Sequence, residues 1–196
     1  MSHKTPIRSR WFVSLFKVVG LLALIAVPVS AFAGMQLENH DGFCASCHTD
    51  PESEFVDRAH AGTAVDLASF HTGTGVRCID CHSGEGANGR IQAMTLGGHD
   101  LLKFVSGQFP QPAPLTKAID DVNCTKCHST ISQGRDFNNH FHILLPDWQK
   151  QSVNAATCVD CHQSHSTDGL TDVAFLNEQH TVAVCQQCHN SLRGRG

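Results

Sequence analysis

Residues 158–165 read Cys158-Val-Asp-Cys161-His162-Gln-Ser-His165. The first five residues follow the pattern C-x-x-C-H. The chain repeats it at Cys44-Ala-Ser-Cys47-His48, Cys78-Ile-Asp-Cys81-His82, Cys124-Thr-Lys-Cys127-His128 and Cys185-Gln-Gln-Cys188-His189, and these five runs use all ten cysteines. C-x-x-C-H is the attachment pattern of a c-type haem. Two thiols add to the porphyrin vinyl groups, and the adjacent imidazole comes to lie beneath the iron. Five covalently bound c-type haems are therefore expected. Cys44, Cys47, Cys78, Cys81, Cys124, Cys127, Cys158, Cys161, Cys185 and Cys188 are the expected attachment residues. His48, His82, His128, His162 and His189 are the expected proximal ligands.

Other cysteine chemistries fit the pattern poorly. A disulfide framework gives no reason for a His after every second Cys. A zinc ribbon pairs its C-x-x-C knuckles, and five motifs are an odd number. A thioredoxin-like pair is single and sits in a βαβ context.

The chain has 14 histidines, so nine remain after the proximal five, and His3 drops out because it precedes the apolar N-terminal segment. The candidate distal ligands are His40, His60, His71, His99, His140, His142, His165 and His180. His165 follows His162 by three residues and is expected to reach past its own motif to a neighbouring haem. His71 and His180, seven and five residues before a motif, are likewise placed for an adjacent haem. His140 and His142 flank Phe141, and one of the two is the expected ligand. Only Met94 is placed as a sulfur ligand, so bis-His coordination and low potentials follow. Such potentials suit a donor such as menaquinol. The neutral imidazole is the ligand form.

Residues 11–35 read WFVSLFKVVGLLALIAVPVSAFAGM. This stretch is long enough to cross a bilayer, with Lys17 able to snorkel to the interface. A cleaved secretory signal ending at Ala31-Phe32-Ala33 also fits. Lys4, Arg8, Arg10 and Lys17 precede or enter the apolar run, with no acid before residue 35. That asymmetry puts the N-terminus in the cytoplasm and the remainder in the periplasm. After residue 34 come ten Lys/Arg and all eighteen Asp/Glu, net −8. An acidic surface of this kind repels nucleic acid.

The expected organisation is a cytoplasmic N-terminus (1–10), an anchor or signal segment (11–35) and a periplasmic pentahaem domain (36–196). Only 163 residues from Gly34 onward serve five haems, about 33 each. The macrocycles must then form the core. The fold class expected is mainly α and irregular, with a haem-packed core and one N-terminal apolar helix. The tracts Thr72–Gly75 and Gly84–Gly89 read as loops, and Gln108–Thr116 as a Pro-rich linker. Ile91–Phe109 is the most helix-like exported segment, although Gly97 and Gly98 weaken it. Motif starts lie 34, 46, 34 and 27 residues apart, which gives no strict repeat.

The chain resembles the NapC/NirT/NrfH family of membrane-anchored multi-haem cytochromes over roughly residues 11–166. The resemblance rests on the apolar span followed by Phe43-Cys44-Ala-Ser-Cys47-His48, on Val76-Arg77-Cys78-Ile-Asp-Cys81-His82, and on His142-Ile-Leu-Leu with Thr157-Cys158-Val-Asp-Cys161-His162. It implies electron transfer from the membrane quinol pool to a periplasmic reductase or other redox protein. It also implies acidic quinol-proton acceptors, with Asp100 first and Asp50 second. Asp50 stands where many members have Met, and Ala93 where they have Lys, with Arg90 or Lys103 as substitutes. The fifth motif is extra to the four-haem pattern. The second half is similar to NrfB-type soluble pentahaem shuttles, which leaves a periplasmic shuttle as the alternative. A multi-haem oxyanion reductase is the third reading. Eight spare histidines and no Tyr argue against it.

Overall fold

The computed structural model describes residues 7–47, 49–115, 118–134 and 136–193. Residues 1–6 and the expected proximal ligand His48 lie outside the described residues. Ten α-helices order the described chain: α1 (Ile7–Leu37), α2 (Asp41–Cys47), α3 (Glu52–Ala59), α4 (Leu67–Gly73), α5 (Cys78–His82), α6 (Gly86–Val105), α7 (Val122–Thr125), α8 (His140–Gln151), α9 (Cys158–Cys161) and α10 (Glu178–Arg193). No strand forms among the described residues, only isolated bridges from Leu176 to His162 and Leu170. The fold is mainly α and irregular, as the motif density requires.

Met1–His40 and Asp41–Gly196 form two units. In the first, Trp11–Leu37 is long and apolar enough to cross a membrane. At 1.5 Å per residue its 27 residues span about 40 Å, against about 30 Å of hydrocarbon. Pro28 sits inside α1, where its missing N–H leaves one carbonyl without its helical partner.

In the second unit α2, α5, α7 and α9 are short and begin or end at a haem motif, and α10 runs through the fifth. The only buried apolar side chains among the described residues are Ala59, Ala156 and Phe175. This polypeptide makes almost no core of its own, which fits a chain that wraps prosthetic groups.

Four segments differ from their sequence expectation; of the two tracts read as loops, Thr72–Gly73 closes α4 and Gly86–Gly89 opens α6. Gly86–Val105 is one continuous helix of 20 residues, with Gly97 and Gly98 inside it. The cost of two glycines, about 1 kcal/mol each, is not enough to break it. The Pro-rich segment is not a free spacer either. Gln111 donates from Nε2 to the Cys47 carbonyl, Gln111 Oε1 accepts the Asp50 N–H, and Ala113 N–H donates to the Asp50 carbonyl. Its lack of regular structure leaves backbone and side-chain groups free to pair with the end of the first motif.

The glycines at 84 and 89 have a local cause. Gly84 has φ +71°, and a Cβ there would stand 2.8 Å from the Gly89 Cα. The segment before α6 and the first turn of α6 approach each other here, which only glycine allows.

Candidate haem-binding sites

The second and fourth motifs are built alike. In α5, Asp80 Oδ2 accepts the Arg77 N–H at 2.9 Å; in α9, Asp160 Oδ2 accepts the Thr157 N–H at 2.6 Å. A short helix has several orphan N–H groups at its start, and these carboxylates satisfy one each. Arg77 in turn bonds Asp80 and holds its carboxyl below the usual range.

The histidines outside the motifs are held by neighbouring segments. Asp66, the most buried side chain, caps α4 by accepting the Ser69 N–H at 2.8 Å. Its other oxygen takes Arg58 Nε at 3.2 Å. Arg58 also donates to the His165 carbonyl at 2.6 Å. The N–H groups of Leu67 and Ala68 bond the carbonyls of Gln163 and Ser164. One buried acid therefore fixes α4, which carries His71, against the loop that carries His165. Phe55 stacks on the His165 ring at 4.5 Å and 8°.

This scaffold brings four pairs of imidazoles within reach of a shared atom, two pairs near-parallel and two near-perpendicular. His82 and His165 have ring centres 6.1 Å apart, and His142 and His162 also 6.1 Å. His71 and His128 lie 6.1 Å apart, and His140 and His189 6.4 Å. One iron between two imidazoles, with metal–nitrogen bonds of about 2 Å and ring centres about 1 Å further out, separates the rings by about 6 Å. The residues present therefore fit a bis-His haem at the second to fifth motifs.

The hydrogen bonds select the ligating nitrogen. His71 Nδ1 donates to the Leu67 carbonyl, His140 Nδ1 to the Phe137 carbonyl and His162 Nδ1 to the Ala174 carbonyl, each at 2.8 Å. His142 Nδ1 donates to Asn139 Oδ1 at 2.5 Å. Each bond fixes the tautomer that leaves Nε2 free for a metal. Burial, and then the neighbouring His82, pushes His165 down to about 4. Burial, and then His162, also lowers His142. Both therefore rest in the neutral ligand form.

His140 and His142 both face a motif histidine, although the sequence suggests one ligand between them. They start α8, two residues apart, so about 200° separates their directions. One helical turn thereby serves two sites. The remaining candidates sit elsewhere. His60 Nε2 bonds Asp41 Oδ2 at 3.1 Å. His99 is exposed on α6, 3.9 Å from Asp100 Oδ1. His180 lies on α10, where nine residues, or two and a half turns, turn it away from His189. His40 belongs to the first unit, with its N–H on the Leu37 carbonyl. Asp50 is exposed beside the folded-back Pro-rich segment, and Asp100 is partly exposed on α6.

No disulfide joins any of the ten cysteines, and they neighbour one another in sequence order. Burial first, and Asp41 second, pushes Cys78 up to about 12, with Cys44 adding to the shift. Cys81 feels Cys124 and Cys127, and Cys161 feels Cys185. A sulfur–sulfur hydrogen bond pulls Cys124 down to about 7 and pushes Cys158 up. Lys126 Nζ donates to the Asp80 carbonyl and joins the second motif to the third. Among the described residues no cluster of three or more His, Cys, Asp or Glu is placed to hold a metal ion by itself.

Paired imidazoles, paired thiols and a helical chain with little core define a multi-haem c-type cytochrome. The model of the NapC/NirT cytochrome c family, N-terminal region, matches residues 7–170, and the chain belongs to that family. A doubled CXXCH motif matches residues 151–194, across the fourth and fifth motifs. The cytochrome c-type protein NapC of Haemophilus influenzae is 24% identical over 145 residues, covering 66% of this chain and 68% of that protein. No solved structure matches the chain. Members of the family are membrane-anchored c-type cytochromes of electron transfer, and this chain binds c-type haem through its C-x-x-C-H motifs.

Proposed function

We propose that the protein is an anchored pentahaem conduit that takes electrons from membrane quinol and delivers them to a periplasmic reductase or other redox protein. The observation that carries this reading is the set of four imidazole pairs spaced 6.1–6.4 Å apart. Cys78, Cys81 and the His82–His165 pair would hold the second haem, and Cys124, Cys127 and the His128–His71 pair the third. Cys158, Cys161 and the His162–His142 pair would hold the fourth, and Cys185, Cys188 and the His189–His140 pair the fifth. Cys44, Cys47 and His48 would attach the first. Bound there, the haems supply one-electron chemistry at low potential, because two imidazoles give lower potentials than imidazole with Met.

Trp11–Leu37 anchors the chain with its basic end in the cytoplasm. Quinol oxidation releases two electrons and two protons. Asp100 is the proposed proton acceptor and Asp50 the second, since each carboxylate is accessible to a proton donor.

Reconstitution in quinol-containing liposomes tests the proposal. A menaquinol analogue is expected to reduce the haems, and Asp100→Asn to slow that step tenfold or more. Haems that dithionite reduces fully but quinol leaves oxidised would overturn it.

A further inference from the structure

Two aspartates make the same contact twice. Asp41 Oδ1 accepts the Cys78 backbone N–H at 3.0 Å, across 37 residues. Asp121 Oδ1 accepts the Cys158 backbone N–H at 2.7 Å, also across 37 residues. Each aspartate stands three residues before the first cysteine of one motif and binds the first cysteine of the next. Asp41, Cys44, Cys78, Asp80 and His82 recur 80 residues later as Asp121, Cys124, Cys158, Asp160 and His162.

Each carboxylate also has a second donor on its other oxygen. His60 Nε2 bonds Asp41 Oδ2 at 3.1 Å, and Gln149 Nε2 bonds Asp121 Oδ2 at 2.6 Å. Gln149 Nε2 reaches the Ala156 carbonyl as well, at 2.7 Å. The Asp41 side chain is 8% exposed. A carboxylate held on both oxygens cannot swing, so it fixes whatever its first oxygen holds. A charge-assisted bond to a backbone N–H is worth about 1.5–3 kcal/mol.

We infer that Asp41 and Asp121 are positioning residues that clamp the second motif to the first and the fourth to the third, making two rigid two-haem units. The clamp acts on the N–H of the very cysteine that holds the porphyrin, so it sets the gap inside each pair. Lys126, the His71–His128 pair, the His82–His165 pair and the bonds of Arg58, Leu67 and Ala68 to residues 163–165 join the units, while the clamps lie within them. The inference rests on haem attachment at the first four motifs and does not depend on quinol oxidation.

The test uses the full-length holoprotein and the variants Asp121→Ala and Asp121→Asn. Asparagine keeps an acceptor oxygen and removes the charge. In Asp121→Ala the Cys158 amide is expected to exchange with deuterium at least tenfold faster, while the Cys78 amide is unchanged. The tenfold figure is the lower end of the bond energy, at about 1.4 kcal/mol per decade. The magnetic interaction between the third and fourth ferric irons, read by electron paramagnetic resonance, is expected to weaken in the same variant. A residue that only stabilised the fold would leave that interaction unchanged. Asp121→Asn keeps one acceptor oxygen but loses the charge and the second acceptor, and is expected to fall between wild type and Asp121→Ala in both readouts. Unchanged exchange and unchanged iron–iron interaction in Asp121→Ala overturn the inference. If Asp121→Ala fails to mature, Asp121→Asn decides: faster exchange at Cys158 with the Cys78 amide unchanged supports the clamp, and exchange equal to wild type overturns it. The haem count by intact mass separates this outcome from a failure of the pentahaem reading.

Discussion

The rings of His142 and His162 lie 5° from parallel with their centres 6.1 Å apart. His82 and His165 are similar, at 21°. The rings of His71 and His128 are 86° apart, and those of His140 and His189 73° apart. Imidazole orientation sets the splitting of the iron d orbitals in a bis-His haem. Two near-parallel and two near-perpendicular pairs should therefore give two classes of low-spin ferric signal in the resonance spectrum. His140→Met should remove one signal of the perpendicular class and raise one midpoint potential. A single class of low-spin signal would contradict the pairing.

Asp66 is a buried hub, 1% exposed, which caps α4 and holds Arg58. Asp66→Ala removes an N-cap worth about 1 kcal/mol and strands a partly buried guanidinium at about 1–3 kcal/mol more. The expected cost is about 2–4 kcal/mol, or a fall in Tm of roughly 5–15 °C for a chain of this size. Thermal melts followed at the haem absorption band measure it. Disturbance of the low-spin signal of the His82–His165 site should accompany the fall.

Gly84→Ala combines a left-handed backbone with a Cβ pressed onto Gly89. A loss of about 1–3 kcal/mol is expected, together with a reduced yield of holoprotein. Gly73→Ala is the control, because nothing lies within 4 Å of its added Cβ and it sits at the end of α4. The control should be neutral to mildly stabilising, which chemical denaturation of the two variants side by side will measure.

Much of the site is legible in the sequence because haem attachment is a local pattern. Five residues name the two thiols and one axial ligand. The second ligand is not local. His71 comes from α4 and His165 from a loop, a buried Asp66 ties the two together, and nothing in their spacing reveals that tie. His180 stands on α10, half a turn round from His189, with its N–H on Asn177 Oδ1. The aspartate clamps had a visible signal, the spacing of 34 that occurs twice, with Asp three residues before the first cysteine each time. Read only as distances between motifs, that signal looks like irregular spacing. The continuity of α6 was hidden by Gly97 and Gly98, whose cost is small over a helix of 20 residues.

The anchor and the haem number meet in one measurement, the intact mass of mature protein from the membrane and soluble fractions. The account predicts a membrane-fraction protein that keeps residues 1–33 and carries five covalent haems. A soluble protein that starts near Gly34, or a mass with fewer than five haems, would contradict it.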